Sequence, residues 1–414
     1  MDLTPEEEAM LEGREGEATQ AALEFQVEVG DFFVAKDFVP VRTAHLASDP
    51  ESLREAGAEF LEEMVGRGAR FSIPTTTNAG TVDFAKAKLI GQRDIWPKRA
   101  SRILDSLEAM GAHLCNTCVN YQTIDQPLFG EHLAWGDTGT VIWANSVGGA
   151  RSNFEAGPAA LAAGITGRTP RYGYHLPEQR LATVRVDVVD VDLYGRAAWG
   201  ALGCAVGSEL NDYWKVPCLV GNGLKPTPDE LKSFGASLAS YGSVAMFHMV
   251  GVTPEARTAA EAFGGLEPAQ QLEVGPADIE AVFRGFVPEN DHADLVVFSG
   301  PQLSIMEMGE LAEMFAGKTL HPDTRTLLTT SSIAAAEAHR LGYATALEAA
   351  GVIILEGVCF YVMAPHELAE RFGYRTLVTD SAKLANIVAG YGYNPVFRPT
   401  EVCVEAATTG RIAW

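Results

Sequence analysis

The sequence predicts an α/β protein of several lobes, with parallel sheets flanked by helices. Two observations carry that expectation. From residue 293 short apolar runs alternate with helical stretches five times, and strand-then-helix repeats of this kind build a parallel sheet covered on its faces. The chain has 414 residues, too many for one small core, so two or three lobes are expected.

The elements follow in order. Residues 1–8 are acidic, lack the apolar core of a signal peptide, and read as a helix start with Thr4 as N-cap, Pro5 first and Glu7 closing a capping box. Residues 5–34 read as one long amphipathic helix, 51–67 as another, 69–74 as a short strand and 97–111 as a helix ending at Gly111. TVRVDVVDVD at 183–192, before a helical stretch over 196–210, reads as strand then helix. The five later units are ADLVVFSG, RTLLTT, GVIIL, RTLVT and NPVFR, each followed by a helix. Approximate lobes are 1–180, 181–290 and 291–414.

Composition narrows the function. Hydrophobic residues make up 47% and charged residues 21%, an ordinary globular balance. A net charge of −23 repels nucleic-acid phosphates and anionic membranes. No apolar run reaches the length of a membrane span, about eighteen residues. Six cysteines are too sparse for a disulfide scaffold, so a cytoplasmic protein with reduced thiols is expected.

Ligands of parallel sheets bind beyond the carboxyl ends of the strands. The residues there are Ser299, Thr329, Thr330, Ser331, Cys359, Thr379, Asp380, Ser381, Thr400 and Cys403. Helix capping explains several of them but not the two cysteines. Cys115 and Cys118 form a lone CxxC, which reads as a redox pair, half a zinc site or plain core. If Cys118 joins Cys359 and Cys403, three thiolates are available to an iron–sulfur cluster. Cys204 and Cys218 sit in apolar stretches and read as core, and His132 and His248 read as structural before catalytic. The glycine-rich turn over 145–153 places Arg151 beside free backbone N–H groups, equipment for a carboxylate or phosphate. No P-loop, GxGxxG, GxSxG or HExxH motif occurs.

IPTTTNAG (73–80), TCVNY (117–121), FGEHLAWGDT (129–138), ANSVGGARSNFEAGPAALAAGITGRTP (144–170), FHMVGVTPEA (247–256), TDSAK (379–383) and EVCVEAATTG (401–410) together resemble the aconitase X family of hydro-lyases. The resemblance runs the length of the chain and implies a multi-lobed, aconitase-like architecture. It also implies an iron–sulfur cluster, [2Fe-2S] or [3Fe-4S]/[4Fe-4S], held by Cys118, Cys359 and Cys403. Val119-Asn120 stand where many relatives have Thr-Pro, which reshapes the pocket beside the first ligand.

Members resemble dehydratases of cis-3-hydroxy-L-proline or of mevalonate 5-phosphate. Many are split into a large subunit and a small one, and the small one resembles the swivelling domain of aconitase and carries a catalytic serine. The sequence stops soon after Cys403, so a separate small subunit is expected. The absence of a dense Lys/Arg cluster at the strand ends favours the unphosphorylated hydroxyproline, whose dehydration ends at Δ1-pyrroline-2-carboxylate. The expected substrate-binding residues are Thr75, Thr76, Thr77, Asn78, Asn145, Ser146, Arg151 and Asn153. Ser381 and Lys383 are expected to bind substrate or orient the base. The other class left open is a non-catalytic iron–sulfur protein or one with a single metal ion.

Overall fold

The computed structural model describes residues 1–413. Four sheets form. The largest has five strands, all parallel, in the order 353–356, 325–330, 295–303, 376–379, 394–397. The first strand of the series therefore lies in the middle, and the chain winds outward first to one side and then to the other. The order reverses between Leu295–Leu303 and Thr376–Thr379. At such a reversal the connections on the two sides diverge and leave a crevice at the carboxyl ends.

A four-stranded parallel sheet runs in the order 248–249, 217–220, 184–188, 270–274, and a three-stranded parallel one in the order 75–77, 44–46, 134–135. Phe38–Pro40 and Arg168–Pro170 form a small antiparallel pair. Among the described residues no helix is long and apolar enough to cross a membrane.

All five βα units are present, with two local differences. The stretch 356–373 is helical only over Pro365–Phe372; before it the chain is a loop around a short 3-10 turn, Phe360–Val362. Near the N-terminus the expected long helix is two, Pro5–Leu11 and Glu17–Phe32. Gly13 and Gly16 break it at φ +74° and +101°, backbone angles that side chains disfavour. The capping box at Thr4 and Glu7 forms as read, with Glu7 N donating to Thr4 Oγ1 at 3.3 Å and Thr4 N to Glu7 Oε2 at 2.7 Å. Residues 69–74 are not a strand; pairing begins after Pro74, at Thr75–Thr77, because proline has no N–H to give.

Helices Gly195–Leu210 and Pro228–Gly242 pack backbone to backbone. A Cβ on Gly207 would lie 2.8 Å from the Leu238 carbonyl oxygen and 3.1 Å from the Gly242 nitrogen. Gly207→Val is therefore expected to lose about 1–3 kcal/mol through overpacking, read by urea unfolding. Gly66→Ala, where a Cβ meets nothing within 4 Å, serves as the control and should leave stability unchanged or slightly raised.

Candidate functional site

The carboxyl ends of the three-stranded and five-stranded sheets meet at a seam. Beyond strand Thr75–Thr77 the backbone of Gly80 runs parallel to Val358. Gly80 N donates to Gly357 O at 2.8 Å and Cys359 N to Gly80 O at 3.4 Å. Thr117 N donates to Thr77 O at 3.1 Å and brings Cys118 to the same place.

Gln302, at the reversal point of the large sheet, ties these loops together. Its side-chain amide donates to Asn116 O at 3.2 Å and Val358 O at 3.0 Å. Its oxygen accepts from Cys118 N at 3.3 Å, and its own backbone N–H donates to Cys118 Sγ at 3.3 Å.

Cys118 and Cys359 are thus brought side by side, both buried, with their thiols in hydrogen-bond contact. That bond, then burial and the nearby Asp137 carboxylate, push the Cys118 thiol far above its usual range. Burial resists ionisation of Cys359 as well, but the bond from Cys118, the Lys383 ammonium and the Ser299 hydroxyl outweigh it and hold that thiol below its usual range. Ser299 Oγ lies 3.6 Å from Cys359 Sγ and 2.6 Å from Thr329 Oγ1.

Lys383 is buried, and its ammonium stands 5.2 Å from the Tyr361 ring centroid. Asn78 donates to Asp137 Oδ1 at 3.1 Å, and its side chain also faces the buried His45 imidazole.

The remaining expected residues divide clearly. The hydroxyls of Thr75, Thr76 and Thr77 are spent within the scaffold, on Ile73 O at 3.0 Å, His45 Nδ1 at 2.8 Å and Asn116 Oδ1 at 2.9 Å. The 145–153 turn spends its polar side chains within the scaffold. Asn145 binds Ser152 and Ala245, Ser146 accepts from Phe247 N, and Asn153 bridges to Tyr172 and Tyr174. Those side chains are buried and fully used, which corrects their reading as substrate ligands. Arg151 is half-buried, reaches only the His175 carbonyl at 3.4 Å, and leaves its Nε unpaired. Ser381 caps helix Ala382–Val388 and donates to Gly300 O, so its hydroxyl is also committed.

Among the cysteines the CxxC does not close. Cys115 donates to Thr77 O at 3.2 Å while Cys118 turns to Cys359. Cys403 stands apart from both. It lies in helix Thr400–Thr409 with its thiol on Arg398 O at 3.5 Å, inside the apolar core of the large sheet. Burial, and then Asp380, keep it protonated. Among the described residues no three Cys, His, Asp or Glu side chains gather where they could hold a metal ion. The three cysteines that the resemblance implies as cluster ligands are therefore not brought together here: Cys118 and Cys359 meet, and Cys403 lies in a different core.

His132 and His248 are structural, on His175 Nδ1 at 2.9 Å and Arg180 O at 2.8 Å. Sequence reasoning missed Gln302 and Asp137. Asp137 had a signal, as an N-cap acid before Thr138, whereas nothing local marks Gln302.

A cleft of about 1150 Å³ opens beside the seam, lined by Val119 and Tyr121 on one side and Leu303 and Ser304 on another. Its floor is a buried ionic network. Arg196 holds Asp380 at 2.6 Å and Lys232 holds Asp229 at 3.1 Å, while Glu307 contacts Lys232. Neither cysteine lines this cleft, so it serves the pair only as an approach.

Converging parallel sheets, a buried thiol pair and an adjacent lysine and carboxylate define an α/β enzyme site. Comparison with known proteins gives its family. Residues 1–178, 182–284 and 293–409 match the models for the aconitase X first, second and third domains. The chain belongs to the aconitase X family. It is 36% identical over 385 residues to the phosphomevalonate dehydratase large subunit of Methanothermobacter thermautotrophicus, covering 93% of each chain. It is 33% identical over 408 residues to the cis-3-hydroxy-L-proline dehydratase of Pseudomonas aeruginosa, covering 98% of this chain and 70% of that one. The crystal structure of the holo form of Thermococcus kodakaraensis aconitase X superposes with a TM-score of 0.88 at 33% identity, over 98% of this chain and 100% of that one.

Burial brings the His45 imidazole down to about 4, against the opposing pull of Asp137. A depressed imidazole binds its proton more weakly folded than unfolded, so stability should fall as pH drops from about 6.5 towards 4 and stay level above that window. His45→Gln is expected to make that slope shallower by up to about 1.4 kcal/mol per pH unit. Urea unfolding at a series of pH values measures it, and identical slopes would show that His45 titrates normally.

Proposed function

We propose that this chain is the large subunit of a dehydratase that removes water from cis-3-hydroxy-L-proline. One observation carries the choice of substrate. The charges bearing most on the thiol pair are Lys383 and Asp137, whereas the nearby Arg196 and Lys232 are held in ion pairs. One ammonium suits a single carboxylate. A phosphate monoester carries up to two negative charges and calls for several cations or a helix N-terminus.

In this reading Lys383 receives the substrate carboxylate and holds it as charge builds on that group when the neighbouring C–H proton leaves. Asp137 holds the Asn78 amide in place, and the Asn78 side chain is assigned to accept from the ring N–H. Burial around Tyr361 keeps water away from the reacting carbon. The proton acceptor is assigned to the small subunit, the partner that the name "large subunit" implies for the relatives.

A second reading, dehydration of mevalonate 5-phosphate, is favoured by length and similarity. The chain covers 93% to 97% of two phosphomevalonate dehydratase large subunits at 36% and 31% identity, against 70% of the hydroxyproline enzyme.

The chain co-expressed with its small-subunit partner should turn over cis-3-hydroxy-L-proline, followed by the absorbance of the o-aminobenzaldehyde adduct of the product imine. Turnover of mevalonate 5-phosphate alone would select the second reading. Lys383→Met should lower kcat/KM by roughly 10- to 100-fold, the loss of one charge-assisted hydrogen bond, chiefly through KM, and Lys383→Arg should recover part of it. An unchanged kcat/KM in Lys383→Met would remove Lys383 from the carboxylate site.

A further inference from the structure

The cleft beside the seam is larger than a small substrate needs. Its volume is about 1150 Å³, above the roughly 300–1,000 Å³ of small-molecule pockets. Its rim is apolar yet open to water. Tyr194, Met306 and Ile333 line it and are 81%, 67% and 51% exposed. Large apolar side chains left exposed around one opening mark a surface that another chain covers.

The charge around the opening has one sign. Among the described residues that line the cleft, seven are carboxylates and the one cation is Arg196. Lys232 and Arg340 answer Asp229, Glu307 and Glu337, while Glu310, Glu313 and Glu401 stand exposed on the rim. Arg196 is buried and held by Asp380, but its Nη2 has no partner within the chain. A buried donor left open is costly, and an acceptor brought by an occupant would close it. The occupant that fits is therefore basic and partly apolar. A second copy of this chain, with its net charge of −23, is repelled by such a rim.

A relative shows how much protein is available for the place. This chain covers 70% of the hydroxyproline dehydratase of Pseudomonas aeruginosa, so 30% of that protein lies outside the match. We propose that the small subunit docks in this cleft through a basic segment, with lysine or arginine against Glu310, Glu313 and Glu401 and apolar groups against Tyr194, Met306 and Ile333. The proposal rests on the large-subunit reading above and names the surface which that reading leaves open. Docked there, the small subunit closes the approach to the thiol pair and carries its proton acceptor towards the seam.

The test uses the full-length chain and the small subunit, purified separately and titrated by calorimetry. Binding of the unaltered pair should weaken as salt is raised. Ile333→Asp, and Glu310→Lys combined with Glu401→Lys, should each weaken it about tenfold or more. Leu266→Asp, at an exposed position outside the cleft, should leave it unchanged. Hydrogen exchange on the unaltered pair, which needs no variant to fold, should show new protection over 303–314 and 333–337. A small subunit that binds the unaltered chain but ignores the rim changes, or protects other segments, would overturn the docking surface and leave the dehydratase reading standing. No binding at all would overturn both. A dimer of the chain alone that the rim changes split in sedimentation would give the face to a second copy and overturn the proposal.

Discussion

A single buried amide decides where the two thiols of this protein meet. Gln302 is wholly enclosed, and its side chain satisfies three backbone groups from two different loops, 116–118 and 357–359. Without it those groups would be buried and unpaired, at roughly 1–3 kcal/mol each. The loops of the first and last sheets are therefore not merely near each other. They share one hydrogen-bonding account that closes only when Cys118 and Cys359 lie side by side. What is chemically distinctive about the seam, the depressed Cys359 thiol beside the buried Lys383 ammonium, follows from that register.

Charge at the seam is divided between two systems. On the cleft floor, Arg196, Lys232, Asp229, Glu307 and Asp380 pair among themselves. Buried pairs of this kind contribute little net stability, because desolvation offsets attraction, yet removing one partner leaves a charge stranded. The network is thus fixed and offers a ligand no free charge. Lys383 is treated differently. It faces an aromatic ring and favours ionisation of the Cys359 thiol. A chain of net charge −23 keeps a free cation beside its reactive sulfurs, and an anionic substrate arriving against that overall field is met there.

Much of the fold was legible because periodicity and punctuation are local. The five βα units, the capping box at Thr4 and the Gly111 helix end were all written in neighbouring residues. The break at Gly13 and Gly16 was missed because the apolar pattern continues across it, although the two glycines were visible. The site was legible only by half. The strand-end rule brought Cys359 and Ser299 to one rim, and resemblance brought Cys118 and Lys383. The same rule misplaced Cys403. Its position past a strand is also the first turn of a helix, and a helix side chain at that turn faces the sheet. The 145–153 turn looked equipped for an anion because free N–H groups and polar side chains read alike before their partners are known. Gln302 left no signal at all, since its three partners are set by tertiary contact.

The stitch at the seam also has a history within each molecule. Cys118 and Gln302 are 184 positions apart, so at a synthesis rate of about 5–20 residues per second the first thiol waits on the order of ten to forty seconds for the loop that will hold it. Contacts of such long range form late, after the N-terminal elements have settled. During that interval Cys118 is an unescorted thiol in a nascent chain. The reducing power of the compartment in which translation occurs, rather than any feature of the finished fold, protects the centre before it exists.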